Sequence, residues 1–133
     1  MKIWKHKGWN LAEATVAVIL LGIFASMSFP NYIRMKERAW EAGTKGNAHT
    51  VQLAAEVYAI QHFGNYAEDA TDLQVLLPQG NALTNHYNGE PVVYDGSAGD
   101  MTYHQNVPGK DYTITAFGCG SGGTPRVLME LTN

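Results

Sequence analysis

From Ala14 to Phe29 the chain carries no charge, and Glu13 sits directly before that run, five residues past Gly8. Sixteen residues make a helix of about 24 Å, short of a hydrocarbon core of about 30 Å, whereas the stretch from Trp9 to Ile33 is long enough to cross it. A carboxylate in such a segment costs roughly 2.5–3.5 kcal/mol on insertion scales, so it is expected to have a function and a partner. A cut after Gly8 would create a cationic amine on Trp9, four residues before Glu13. Offered by a neighbouring copy, that amine suits a buried carboxylate, and the arrangement points to self-assembly out of a membrane. Lys2, Lys5 and Lys7 precede the apolar run, which places the leader in the cytoplasm and the rest of the chain outside.

These residues resemble the leader and N-terminal helix of type IV pilins and of the pseudopilins of type II secretion systems. The resemblance is specific over residues 5 to 34 and architectural beyond them. It implies that a prepilin peptidase cuts after Gly8 and methylates Trp9, leaving Glu13 at the fifth mature position. Gly22 and Pro30 match the family's helix-loosening positions, and the resemblance implies that the stretch between them unwinds as the subunit enters the filament. A simple proline kink in a membrane helix is the alternative for Pro30. Trp9 stands where phenylalanine is usual, Asn10 replaces a common threonine, and Ala12 and Ala14 replace bulkier residues. An ordinary signal peptide is the competing reading. Its only small-residue site is Ser26-Met27-Ser28, close to Pro30, and an acid inside the apolar region does not suit it. No cysteine lies near the run, so lipoprotein processing is excluded.

Beyond Pro30 the pattern stays helical. Ala39, Trp40, Ala42, Val51, Leu53, Ala54, Ala55, Val57, Tyr58 and Ile60 recur at spacings of three and four, an apolar stripe on one side. Gly43 and Gly46 interrupt it, each at about 1 kcal/mol relative to alanine, so a bend is expected there. The helix should end near His62 to Gly64, with Gly64 as its left-handed cap. Thr71 is the expected cap of a short helix over Asp72 to Leu77, stopped by Pro78. Gln79 to Glu90 reads as loop. Four strand candidates follow: Pro91 to Tyr94, Met101 to Val107, Tyr112 to Phe117 and Arg126 to Leu131. Alternation places Met101, Tyr103 and Val107 on one face of the second, and Tyr112, Ile114 and Ala116 on one face of the third. Pro108-Gly109 turns between these two, and Gly118 to Pro125 is a glycine-rich loop. The expected fold is α+β: a long N-terminal helix, membrane-embedded in its first half, packed on a small antiparallel sheet. Its parts are a leader at 1–8, an assembly half-helix at 9–33 and a globular head at 34–133.

Losing the three leader lysines would take the formal charge from −3 to −6, which argues against binding nucleic acid through backbone charge. The lone Cys119 cannot form the intrachain disulfide common among pilins; a buried free thiol is expected, with pairing between chains as the alternative for an exposed one. The five histidines show no metal-ligand spacing and read as scattered surface residues; the aromatics along the helix read as packing groups. Asp95 and Asp100 form a weak calcium candidate, suggested by the loops of major pseudopilins, with a plain turn as the favoured reading. No catalytic constellation and no cofactor are evident. The chain therefore reads as a homopolymeric filament subunit, made in the bacterial inner membrane and raised by an assembly machinery into a surface or periplasmic fibre. The missing disulfide counts against a pilus and the poor calcium loop against a major pseudopilus; the sequence tilts slightly towards a pilus, with a secretion pseudopilus or DNA-uptake pilus as alternatives. A single-pass protein with a ligand-binding domain is the alternative of another class, and it gives Glu13 no partner.

Overall fold

The computed structural model describes residues 10–78 and 83–133. Gly8, Trp9 and the three leader lysines lie outside the described residues, as do positions 79–82 of the expected loop. One helix, α1 (Leu11–Gln61), runs 51 residues through Gly22, Pro30, Gly43 and Gly46 without interruption. Two short helical turns follow, α2 (Ala70–Leu73) and a 3-10 turn at Gln74–Leu76. Three strands, β1 (Met101–Val107), β2 (Asp111–Cys119) and β3 (Pro125–Thr132), form an antiparallel sheet in the order β1-β2-β3. The chain divides into two compact units, one ending at Lys36 and one spanning Glu37–Asn133.

No described residue of the first unit is buried. A window of α1 is long and apolar enough to cross a membrane, and none of it is buried. The second unit is held together by one face of α1. Ala48, Val51, Ala54 and Ala55 meet Met101, Tyr103, Tyr112, Ile114 and Ala116 from the sheet, with Leu73, Leu77, Leu83 and Val92 closing the sides. Three alanines on that face let the strands come close to the helix. The strand parity of β2 agrees with its sequence, with Tyr112, Ile114 and Ala116 all fully buried. In β1 the parity fails after Tyr103. The register slips between His104 and Val107, and Val107 turns out to 47% exposure instead of entering the core.

Other expectations are revised by where backbone donors go. Asp69, not Thr71, caps α2, its carboxylate accepting from the Ala70 N–H at 2.9 Å. The candidate strand at Pro91 to Tyr94 shrinks to one bridge between Thr84 and Pro91. Pro91 has no N–H to give, while the N–H groups of Val92 and Val93 are spent on Leu83 and on Asp100. At the end of α1 the Gly64 N–H donates to the Ala59 carbonyl at 2.8 Å, a wide closing turn. That turn puts Phe63 (φ 57) as well as Gly64 (φ 86) in the left-handed region. In β3, Met129 pairs with Ala116 and Val127 with Phe117, so Leu128 is an extra residue that bulges this edge strand.

Candidate functional site

Of the residues singled out by the sequence, Glu13 falls at the start of α1. Asn10 is the last residue before the helix, and its carbonyl accepts the first helical hydrogen bond, from Ala14, at 3.1 Å. Glu13 stands three residues on, and its Oε2 accepts from the Asn10 N–H at 3.2 Å. This is the returning half of a capping box, in which an acid at the third helical position satisfies a backbone donor that the helix leaves free. Glu13 is exposed and lines a shallow groove with Ala12, Val16, Ala17 and Leu20. The groove is apolar apart from the carboxylate. Around it Leu11, Val16, Val18, Ile19 and Leu21 are all more than half exposed, a surface suited to lipid or to like helices and unsuited to water. A Cβ at Gly22 would meet nothing within 4 Å, and Pro30 lies inside the helix. The pairing of Glu13 with a Trp9 amine falls outside the described residues, because Trp9 does. The hydrogen bond to Asn10 is a role that sequence reasoning missed, although the Asn-x-x-Glu spacing announces it.

The calcium candidate is split by the fold. Asp95 is exposed and its Oδ1 accepts from the Ser97 N–H at 2.8 Å, closing its own turn. Asp100 is buried. Its Oδ2 accepts from the Asn85 side-chain amide and its Oδ1 from the Val93 N–H, both at 3.0 Å. Each Asp100 oxygen thus already receives a protein donor, so this carboxylate ties two loops together. Burial pushes the Asp100 carboxyl above the usual 3.8, against the pull of the Val93 N–H and the Asn85 amide. Hydrogen bonds from Ser97 hold Asp95 below 3.8. Among the described residues no three His, Cys, Asp or Glu side chains gather to hold a metal.

Two polar arrangements in the head had no sequence signal. Glu56 accepts from the Tyr112 hydroxyl at 2.8 Å and from the Tyr66 hydroxyl at 3.1 Å, anchoring the sheet and the returning chain to α1. Burial, then the hydrogen bond to Glu56, pushes the Tyr112 hydroxyl well up, and burial raises that of Tyr103 to about 12. The second arrangement joins the 83–90 loop to α1. Asn47 donates to the Thr84 carbonyl at 2.9 Å, and the rings of Trp40 and Tyr87 meet at 5.2 Å. A Cβ at Gly43 would lie 1.6 Å from the His86 ring, so this glycine exists to seat His86. Cys119 is exposed, contrary to the expected buried thiol, and lies beside Glu37, Glu41, Gly120 and Arg126. Arg126 and Glu41 form an ion pair.

The chain is similar to three curated proteins, each named Type II secretion system core protein G. The one from Pseudomonas aeruginosa is 27% identical over 86 residues, covering 63% of this chain and 60% of that protein. Those from Klebsiella michiganensis and Klebsiella pneumoniae are each 24% identical. They align over 100% and 97% of this chain, and over 96% and 94% of their own lengths. No protein-family model and no solved structure matches the chain. These similarities support a place among the pilins and pseudopilins, and the α+β architecture of long helix and small antiparallel sheet agrees with it.

Proposed function

We propose that the chain is a structural subunit of a secretion pseudopilus, anchored in a membrane by the front half of α1 and transferred from lipid into a bundle of like helices. The observation that carries this reading is the exposed apolar surface of the first unit, interrupted near its start by Glu13. A surface of that kind needs either lipid or other copies, and the carboxylate separates the two cases. In lipid Glu13 turns back on the Asn10 N–H. In the bundle it pairs with the Trp9 amine of a neighbour, released by a prepilin peptidase after Gly8 and methylated. Gly22 and Pro30 supply the stretch that loosens during transfer. The role is structural rather than catalytic.

The sequence alone tilted slightly towards a pilus. Three relatives named as secretion-system components, two of them aligned along nearly their full lengths, support the pseudopilus reading. The first experiment is the intact mass and N-terminal residue of the protein isolated from its native host. A chain beginning at Trp9, with or without one methyl group, is the expected result. A chain beginning at Met1 or after Ser28 would remove the reading. Electron microscopy of the cell surface, together with an assay for secreted proteins after deletion of the gene, then separates pseudopilus from pilus.

A further inference from the structure

We propose that Asn85 takes the place of a cation in the head: its side-chain amide clamps the Asp100 carboxylate to the Ala98 carbonyl, so the loops are held without calcium. Asn85 and Asp100 are buried, at 1% and 2% exposure, on two segments of chain. Each polar group of Asn85 has a partner. Its backbone N–H donates to the Glu90 carbonyl and its own carbonyl accepts from the Gly89 N–H, both at 2.8 Å. Its Oδ1 accepts from the Tyr87 N–H at 2.9 Å. That donor needs an oxygen facing it, which turns the amide nitrogen the other way. The nitrogen carries two hydrogens, and it donates to the Ala98 carbonyl and to Asp100 Oδ2, both at 3.0 Å.

Calcium takes oxygen ligands, among them carboxylates and backbone carbonyls. The Asn85 nitrogen reaches one of each, and so stands between oxygens of the kind that a cation would gather. A buried carboxylate needs either a counter-charge or hydrogen-bond donors. Asp100 has donors on both oxygens, since its Oδ1 accepts from the Val93 N–H at 3.0 Å. The calcium suggested for Asp95 and Asp100 by the loops of major pseudopilins does not fit these residues. Asp95 is exposed and closes its own turn on Ser97, and a cation at Asp100 would have to expel a buried amide. The backbone is shaped around that amide. Gly99 has φ 88, and a Cβ there would lie 2.0 Å from Asn85 Oδ1. The Gly99 N–H donates to the Phe117 carbonyl at 2.8 Å, and the Phe117 N–H to the Asp100 carbonyl at 2.9 Å. The clamp thereby ties the loop around Asn85 to β2.

The test is thermal unfolding of the full chain in detergent, in excess calcium chloride, in excess magnesium chloride and in EGTA. The natural chain should unfold at the same temperature in all three. A midpoint several degrees higher in calcium than in the other two would overturn the proposal. Asn85→Asp removes both donors and sets a second carboxylate against Asp100 Oδ2 and the Ala98 carbonyl. This variant should unfold several degrees lower in EGTA, or fail to fold there. Calcium, unlike magnesium, should restore at least half of the loss. An Asn85→Asp chain as stable as the natural one in EGTA, or equally impaired in calcium and in EGTA, would overturn the proposal too. Both arms are read on unassembled chain, so their failure would leave the pseudopilus reading standing, and a wrong N-terminal residue would leave the clamp.

Discussion

Two carboxylates five residues apart, Asp95 and Asp100, meet opposite surroundings, one closing an exposed turn and the other buried between loops. Folding raises the Asp100 value, so the folded chain holds that proton more tightly than the unfolded one. Its contribution to stability is present at low pH and lost as pH rises through the folded value. Asp95 runs the other way. Folding lowers its value, so its contribution is present above 3.8 and lost as pH falls through the depressed one. A carboxyl-carbon NMR titration should give a midpoint below 3.8 for Asp95 and above 3.8 for Asp100; the reverse order would contradict the assignment. Cys119 shows how much a single position reveals in advance. Tyr112, Ile114 and Ala116 alternate inward, so counting on by twos puts Gly118 inside and Cys119 outside, as the structure has it. The sequence reads as ending this strand at Phe117 and giving Cys119 to the loop, whereas β2 runs on to Cys119 and turns it outward.

Among the elements, α1 offers a paired comparison between two glycines three residues apart. Gly43 faces the His86 ring and Gly46 faces open space. Gly46→Ala should stabilise the detergent-solubilised chain by up to about 1 kcal/mol through helix propensity. Gly43→Ala must expel His86 and should cost about 1–3 kcal/mol, as overpacked sites do. Thermal unfolding of both variants tests the pair, and a shift of equal sign in both would refute the seating of His86. Glu56→Ala leaves the hydroxyls of fully buried Tyr112 and half-buried Tyr66 without their acceptor, and should destabilise the head by roughly 1–3 kcal/mol in denaturant unfolding. The helix, the three real strands and the turn at Gly109 were legible because periodicity and punctuation are local. The cap at Asp69, the failed strand at Pro91 and the register slip in β1 were not. Each depends on which distant group a backbone N–H reaches, as the Val93 N–H reaches Asp100. Glu56 gave no sign for the same reason, since its partners Tyr66 and Tyr112 lie ten and fifty-six residues away.

For the molecule as a whole, the two possible uses of Glu13 can be separated by chemistry. Glu13→Gln keeps an acceptor for the Asn10 N–H and loses the charge, whereas Glu13→Ala loses both. Both variants should still enter the membrane, because each removes a charge from the apolar segment. If the charge serves assembly, Gln should fail to build filaments as completely as Ala, measured by chemical crosslinking of neighbouring copies in whole cells. Normal filaments from Glu13→Gln would assign the residue to helix capping alone. The extra residue in β3 bears on the interval before any fibre exists. A chain held in a membrane is confined to two dimensions and kept at high local density, where an open sheet edge is a standing invitation to uncontrolled pairing. Leu128 breaks the even spacing of that edge, so on the reading proposed above crowded neighbours would find no straight template to extend.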